Sequence, residues 1–369
     1  MDIVAKQWKQ QLQYLLEGRD YESLIFTSAE DIPILPFYTA ENVKSPYAIN
    51  TKTQVAVPLF ISDKEATLKR IVFWQEQSVS FFLLDIHPKL TQKEVEEWLP
   101  ANLQYLFTNS FAINTTIYQK AGASMVQQIA FGVAQIKENP HTADVLNVKV
   151  AVGGTFLLEI AKLRAFRRLL NEQLPTLPLC LIAEVSSRGL SLLKSSYNEN
   201  YVQLAYEAVV LGGADYLLPK NPLFFKNNNL NTEKANIATI QNITATRNAT
   251  LLNGMYAIES LSYEMYKKAL VMLEQITKKG GLSAITKNFS LIKDIKQKSQ
   301  REQALFNEQC ASLPAIDLYS RKDWDFYPFS KKKSSEVLEL KRLWESFEKR
   351  LKQEDYDRNA LCHSWRATL

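Results

Sequence analysis

Apolar residues recur along this chain with two periods, and the switching between them predicts the architecture. Residues 145–152 and 177–185 are apolar almost throughout, as in strands buried on both faces. Between and beyond them the period becomes that of a helix. Val126, Ile129, Ala130, Val133 and Ile136 share one face over 125–136. Phe156, Ile160, Leu163 and Leu170 face inward over 156–170, and Tyr201, Leu204, Ala205, Ala208 and Val209 mark a further helix. Gly212-Gly213-Ala214-Asp215 ends that helix and turns into a strand over 216–218. The order strand, helix, strand, helix, strand implies parallel pairing through helical crossovers.

Upstream, short apolar runs at 55–61, 71–74, 79–86 and 103–107 read as strands, with a helix over 92–99. A first helix spans 5–16, with Trp8, Leu12 and Leu15 on one face, and Gly18-Arg19-Asp20 ends it. An extended segment over 20–26 follows. In the stretch from Asp31 to Glu41, Pro33 and Pro36 fix an extended path without a regular ladder. Downstream, 221–235 reads as a polar loop, and 236–251 and 261–278 as helices, the second capped by Gly280-Gly281. Val337, Leu340, Trp344, Phe347 and Leu351 form a narrow stripe on a last helix over 335–353. The chain thus divides into a helix and arm (1–50), a central α/β domain (51–320) and a C-terminal linker and helix (321–369).

With 369 residues, 46% of them hydrophobic, the chain can bury a sizeable core. No apolar run is long enough to span a membrane, and the first residues carry no apolar leader core, so a cytoplasmic protein is expected. Cys180, Cys310 and Cys362 lie far apart without metal-ligand spacing and read as reduced thiols. A net charge of +5 is mild, and Lys331-Lys332-Lys333 reads as a solvated linker; no nucleic-acid partner is expected. Of 11 glycines none falls between Gly18 and Gly122, which leaves the first third without a glycine-rich phosphate loop. His87, His141 and His363 are too scattered for imidazole catalysis or a metal centre, and His87 reads as part of an exposed His-Pro turn.

Two stretches carry a family resemblance. Lys120-Ala121-Gly122-Ala123-Ser124-Met125-Val126-Gln127-Gln128-Ile129-Ala130, and the run from Phe156 to Leu170, both resemble the barrel domain of the methylmalonyl-CoA mutase family. So do Asp31-Ile32-Pro33-Ile34-Leu35-Pro36-Phe37-Tyr38-Thr39-Ala40-Glu41, the segment from Tyr256 to Gly281 and, as an echo, Leu343-Trp344-Glu345-Ser346-Phe347-Glu348. The resemblance implies a (β/α) barrel that sheathes a CoA ester beside a cobalamin domain. With six or so strands in view, the expected fold is α/β: a TIM-like barrel, reduced or distorted, with an extended N-terminal arm and a C-terminal helix. In the family the arm wraps a partner subunit.

The same comparison exposes what is missing. The family's catalytic histidine, which polarises the thioester carbonyl, precedes the Ala-Gly-Ala segment by four residues; that position is Ile117 here. No Asp-x-His-x-x-Gly motif for ligating cobalamin occurs in the sequence. The expectation is therefore a non-catalytic component resembling the small subunit of a methylmalonyl-CoA mutase, with no catalytic, cofactor or metal residues of its own. It would form a heterodimer with a large catalytic mutase subunit that carries adenosylcobalamin. The alternatives are the substrate half of a split acyl-CoA mutase and a CoA-ester-binding module.

Arg188, in Ser186-Ser187-Arg188 after the strand ending at Val185, is the candidate for a residual anion contact on the substrate face. Tyr118 adjoins the lost histidine position; on a strand it would face away from it. Arg164, Arg167 and Arg168 read as the polar face of a barrel helix, with a phosphate contact as the rival reading. Glu159 and Glu184 are carboxylates without a visible acid/base partner.

Overall fold

The computed structural model describes residues 3–139, 144–193, 195–225, 229–310 and 338–349. Helix α1 (Ile3–Leu15) leads into two short strands, β1 (Phe26–Thr27) and β2 (Pro33–Ile34), paired antiparallel. The arm therefore does hold a small ladder, and Pro33 starts its strand, a position where a missing N–H is tolerated. Residues 20–26 are not extended throughout: Asp20 accepts a hydrogen bond from Glu22 N at 3.0 Å and draws Tyr21–Leu24 into a 3-10 turn.

The central domain runs β3 (Gln54–Ile61), α2 (Lys64–Glu76), β4 (Phe81–Ile86), α3 (Gln92–Glu96), β5 (Gln104–Phe107), β6 (Ile113–Asn114), α4 (Thr116–Lys120), α5 (Met125–Glu138), β7 (Leu146–Val152), α6 (Phe156–Gln173), β8 (Leu179–Val185), α7 (Ser195–Gly212), β9 (Tyr216–Leu217), α8 (Leu230–Thr246), α9 (Tyr256–Lys278), α10 (Leu282–Lys287) and α11 (Ser290–Cys310). Strands β3 to β9 form one parallel seven-stranded sheet in the order β5-β4-β3-β9-β8-β7-β6. That order is the chain order closed on itself where β9 pairs with β3, the connectivity of a reduced TIM-like barrel. The sheet stays open between β5 and β6, because parallel neighbours need a crossover of a dozen residues or so and only a short link joins these two. The link itself bridges the edges, which it holds within about 20 Å of each other.

Side chains alternate across the curled sheet and segregate into two cores. The outer one, with Val57, Leu59, Leu84, Val148, Val150, Leu181 and Val185, packs against the helices. The inner one joins Ala56, Phe81, Leu83, Ile182 and Leu218, with Leu106, Phe111, Cys180 and Tyr216 against it. Phe81 and Tyr216, from the two strands that flank β3, stack with ring centroids 3.9 Å apart. The concave side is thus a packed core in its lower part.

Four expectations change. Residues 71–74 lie in α2, where Thr67, Ile71 and Trp74 form the buried stripe and the Asp63 carboxylate caps the start by accepting from Ala66 N. Ile117 and Tyr118 belong to helix α4, not to a strand. Residues 230–235 extend α8, whose first turn is capped by Asn229. Of the last expected helix, only 345–349 is helical among the described residues 338–349; Val337, Leu351 and Lys331-Lys332-Lys333 lie outside the described residues.

The arm divides in two. Ser28, Glu30, Ile32, Thr39 and Ile49 are buried on the chain's own central domain. By contrast Ile3, Trp8, Tyr14 and Leu15 of α1 are exposed, and the face of Trp8 and Leu15 has little beneath it besides the Phe37 ring, 6.2 Å from that of Trp8.

Candidate functional site

The C-terminal ends of β6, β7 and β8, where barrels place their chemistry, open onto a cavity of about 640 Å³. Its other walls include the arm around Ser28–Glu30, helix α7 and helix α11. Each strand delivers a distinct group to this rim.

After β6, helix α4 carries the position of the missing histidine. Ile117 is 44% exposed and offers no donor. Tyr118 points elsewhere because neighbours on a helix diverge by about 100°. Its ring is buried against Phe131, and its hydroxyl donates to Gln135 Oε1 at 3.1 Å. Burial, with Glu138 nearby, pushes that hydroxyl up to about 12, so it stays protonated. Gln119 lines the cavity, with its Oε1 buried and unpaired.

The turn into α5 is doubly capped. Ser124 and Gln127 form a capping box, and Glu30 from the arm accepts from Met125 N at 2.7 Å and Val126 N at 3.1 Å. Burial raises the Glu30 pKa despite these bonds. An acid from the arm therefore serves the first turn of a helix, where the dipole favours negative charge.

After β7 come Gly153 and Gly154, and after β8 comes Gly189. Gly154 and Gly189 make room for one ring, while Gly153 lies against Glu159 and Gln119. A methyl at Gly154 would lie 2.6 Å from Tyr201 Cδ2, and one at Gly189 2.4 Å from Tyr201 Cε2. The Tyr201 hydroxyl is driven well above its ordinary value, first by burial and then by Glu159. Gly153 N also donates to Glu159 Oε1 at 2.7 Å, and Glu159 forms a buried ion pair with Lys162. Gly154 and Gly189 pack an aromatic ring rather than cradle a phosphate.

Arg188 stands on the cavity wall, 6% exposed, as a bolt between the rim and α11. Its Nε and Nη2 reach Glu302 Oε2 at 2.9 and 2.7 Å, Nη2 also reaches Ser299 Oγ at 3.0 Å, and Nη1 donates to Lys341 O at 2.6 Å. An incoming anion would have to displace Glu302.

The other arginines are structural ties. Arg164 is 1% exposed and donates to Tyr47 O at 2.7 Å and Glu259 Oε1 at 3.0 Å. Arg167 holds Gly213 O and Asp215 Oδ2, at 2.8 and 2.6 Å through Nη2. Both are buried rather than solvated, which corrects the polar-face reading. Arg168 lies 4.3 Å from the Tyr266 ring and bonds Ser45. His87 is half-buried beside Phe60, and its Nδ1 accepts from Lys89 N at 3.2 Å.

Inside the mouth of the curled sheet, Glu184 is not partnerless. Its two oxygens each meet a lysine, Lys120 and Lys149, at 2.8 Å. Burial opposes its charge, yet the two ammonium groups hold its pKa below the usual carboxylate value. Lys220, just past β9, donates to Ser187 Oγ at 2.6 Å. None of these lysines stands out by spacing in the sequence. Lys149 and Lys220 could have been found from their places, one on a strand and one just beyond a strand's C-terminal end.

Among the described residues no group of three or more His, Cys, Asp or Glu could hold a metal ion, and no helix is long and apolar enough to cross a membrane. Helix α11, bolted through Arg188, and residues 338–349 wall the cavity beside the ends of β6 and β8, where Leu343 N donates to Arg188 O at 2.8 Å.

A family model described as methylmalonyl-CoA mutase matches residues 91–359. The chain is 30% identical over 241 residues to the methylmalonyl-CoA mutase of Cereibacter sphaeroides, covering 57% of this chain and 33% of that one. It is 31% identical over 238 residues to that of Rhizobium meliloti, with the same coverages of 57% and 33%. The mitochondrial methylmalonyl-CoA mutase of Homo sapiens is 24% identical over 246 residues, or 57% and 32% of the two chains. The chain thus spans about a third of the length of these curated relatives.

Proposed function

The chain belongs to the methylmalonyl-CoA mutase family, and from that premise we propose that it is a non-catalytic, small-subunit-like component of a cobalamin-dependent mutase. It pairs with a large subunit that carries the substrate and adenosylcobalamin sites, and it stabilises that subunit for the interconversion of methylmalonyl-CoA and succinyl-CoA. In this reading it works in the cytoplasm.

The observation that carries the proposal is the state of the barrel interior. Phe81, Leu83, Ile182, Tyr216 and Leu218 fill the lower part of the concave side, across the path that a sheathed CoA ester would take. Three further features agree with it. Ile117 cannot polarise a carbonyl. Arg188 is spent on Glu302 and Ser299. The exposed apolar face of α1, with Trp8 and Leu15, suits burial against another subunit.

Co-expression with a large mutase subunit tests the proposal. Copurification, and loss of mutase activity or of its thermal stability when this chain is omitted, is the expected result. Full activity and stability without it would reject the supporting role. Turnover of an acyl-CoA by this chain alone with added coenzyme would reject the non-catalytic one. Titration with CoA esters separates off the binding-module alternative, which requires sub-millimolar affinity in the isolated chain.

A further inference from the structure

We infer that the C-terminal mouth of the curled sheet is a binding site for a small multivalent oxyanion, a phosphate or short dicarboxylate, held by Lys120, Lys149 and Lys220. The inference stands apart from any role for a partner subunit.

The charges do not balance. Lys120 from α4 and Lys149 from β7 meet one carboxylate, Glu184, and Lys220, from beyond β9, holds Ser187 three residues further along the same segment. Glu184 shares its oxygens between Lys120 and Lys149 at 2.8 Å each, while the direct contact of Lys220 is a hydroxyl, Ser187 Oγ at 2.6 Å. This leaves an excess of two positive charges over the four groups. Lys220 bears the strain: burial first, and then the two neighbouring lysines, lower its pKa against the pull of Glu184. An anion between Lys149 and Lys220 relieves that repulsion and adds acceptors for ammonium groups that carry three donors each.

The site is open above and shut below. Pro58 and Phe60 on β3 are exposed, Phe60 by 55%, and the register of Val55 against Leu217 brings Pro58 level with Lys220. Two residues before Glu184 and Lys220 stand Ile182 and Leu218, buried in the inner core. A ligand therefore enters from the rim and stops at an apolar floor. That geometry admits a compact anion and excludes a long chain threaded through the sheet. Lysine suits it as a point charge that imposes no bidentate geometry.

Isothermal titration of the intact chain at low ionic strength tests this, with inorganic phosphate in one arm, malonate in another, and sodium chloride of equal ionic strength as the blank. Saturable binding is expected in at least one arm, and the tighter arm assigns the anion as tetrahedral or dicarboxylate. Lys220→Gln and Lys149→Gln should each weaken it about tenfold, the loss of one charge-assisted hydrogen bond. Lys220→Arg should retain binding. Should Lys149→Gln fail to fold, Lys220→Gln carries the test, because the lysine it replaces contacts a hydroxyl and not a carboxylate. Heats no larger than the chloride blank in both arms, or wild-type affinity in Lys220→Gln, would overturn the inference. Copurification with a mutase subunit is indifferent to either result.

Discussion

Phe81 and Tyr216 stack at 3.9 Å on the concave side of the sheet, with the small side chain of Ala56 on the strand between them. Two rings from separate strands thus occupy space that an open barrel would leave to a ligand. Phe81→Ala removes one ring and leaves a void, and should destabilise the chain by about 3–5 kcal/mol. Urea denaturation followed by tryptophan fluorescence measures it. A cost below about 1 kcal/mol would mean that the interior collapses easily and is no barrier.

Arg188 should behave as a fastener. Arg188→Ala strips Glu302, Ser299 and two carbonyls of their partner, a loss on the order of 2–3 kcal/mol concentrated in α11. Hydrogen exchange should accelerate over residues 290–310 and along the rim at 119–122, with little change in α9. Uniform acceleration across the chain would contradict a local role.

The ring of Tyr201 explains two glycines at once, Gly154 and Gly189. Gly189→Ala should cost about 1–3 kcal/mol, because its methyl would meet Tyr201 Cε2 at 2.4 Å. Trimming that ring with Tyr201→Leu should recover part of the cost, so the double variant is less destabilised than the sum of the singles. Strict additivity, read from chemical denaturation, would show that the clash is not with Tyr201.

Glu184 predicts a component of acid sensitivity. Its native pKa lies below the ordinary value of 4.5, held there by Lys149 and Lys120 against burial. The stability it contributes is complete above that ordinary value and is lost as pH falls through the native one. Between about pH 6 and pH 3, Glu184→Gln should therefore lose less stability than the wild type does. Parallel decline of the two urea midpoints would rule the carboxylate out as a source.

Much of the second half of the barrel was legible because β7, α6, β8 and α7 declare themselves through burial. Val148, Val150, Leu181 and Ala183 must be apolar to sit between helices and core, and the chain spells that out. Ile71 to Trp74 was misread as a strand because a run of four carries no period. The wider spacing of Thr67, Ile71 and Trp74, behind the Asp63 cap, was the better signal. Helix α11 went unseen: apart from Leu291 and Ile295 it buries little, and its place is set by ion pairs such as Arg188–Glu302.

The site was less legible than the fold. Ile117 could be identified as a lost donor from the chain alone, yet its setting on a helix could not. Arg188 was found by its place after β8, but the partner that occupies it lies 114 residues away. The placement of Lys120, Lys149 and Lys220 at one mouth depends on α4, on β7, on the segment beyond β9 and on the β9–β3 pairing that closes the strand order.

The short link between β5 and β6 makes the molecule a hoop with a clasp. Its girth is fixed, where backbone ladders are absent, by the length of a few residues that include Thr108, Asn109 and Ser110 and by Leu106 and Phe111 against the inner core. Lengthening the clasp would let the hoop widen without breaking one pair of strands, whereas a protease cut there would free both ends. A scaffold that has shed part of its circumference can therefore remain wrapped upon its own core, because the chain spans the missing arc.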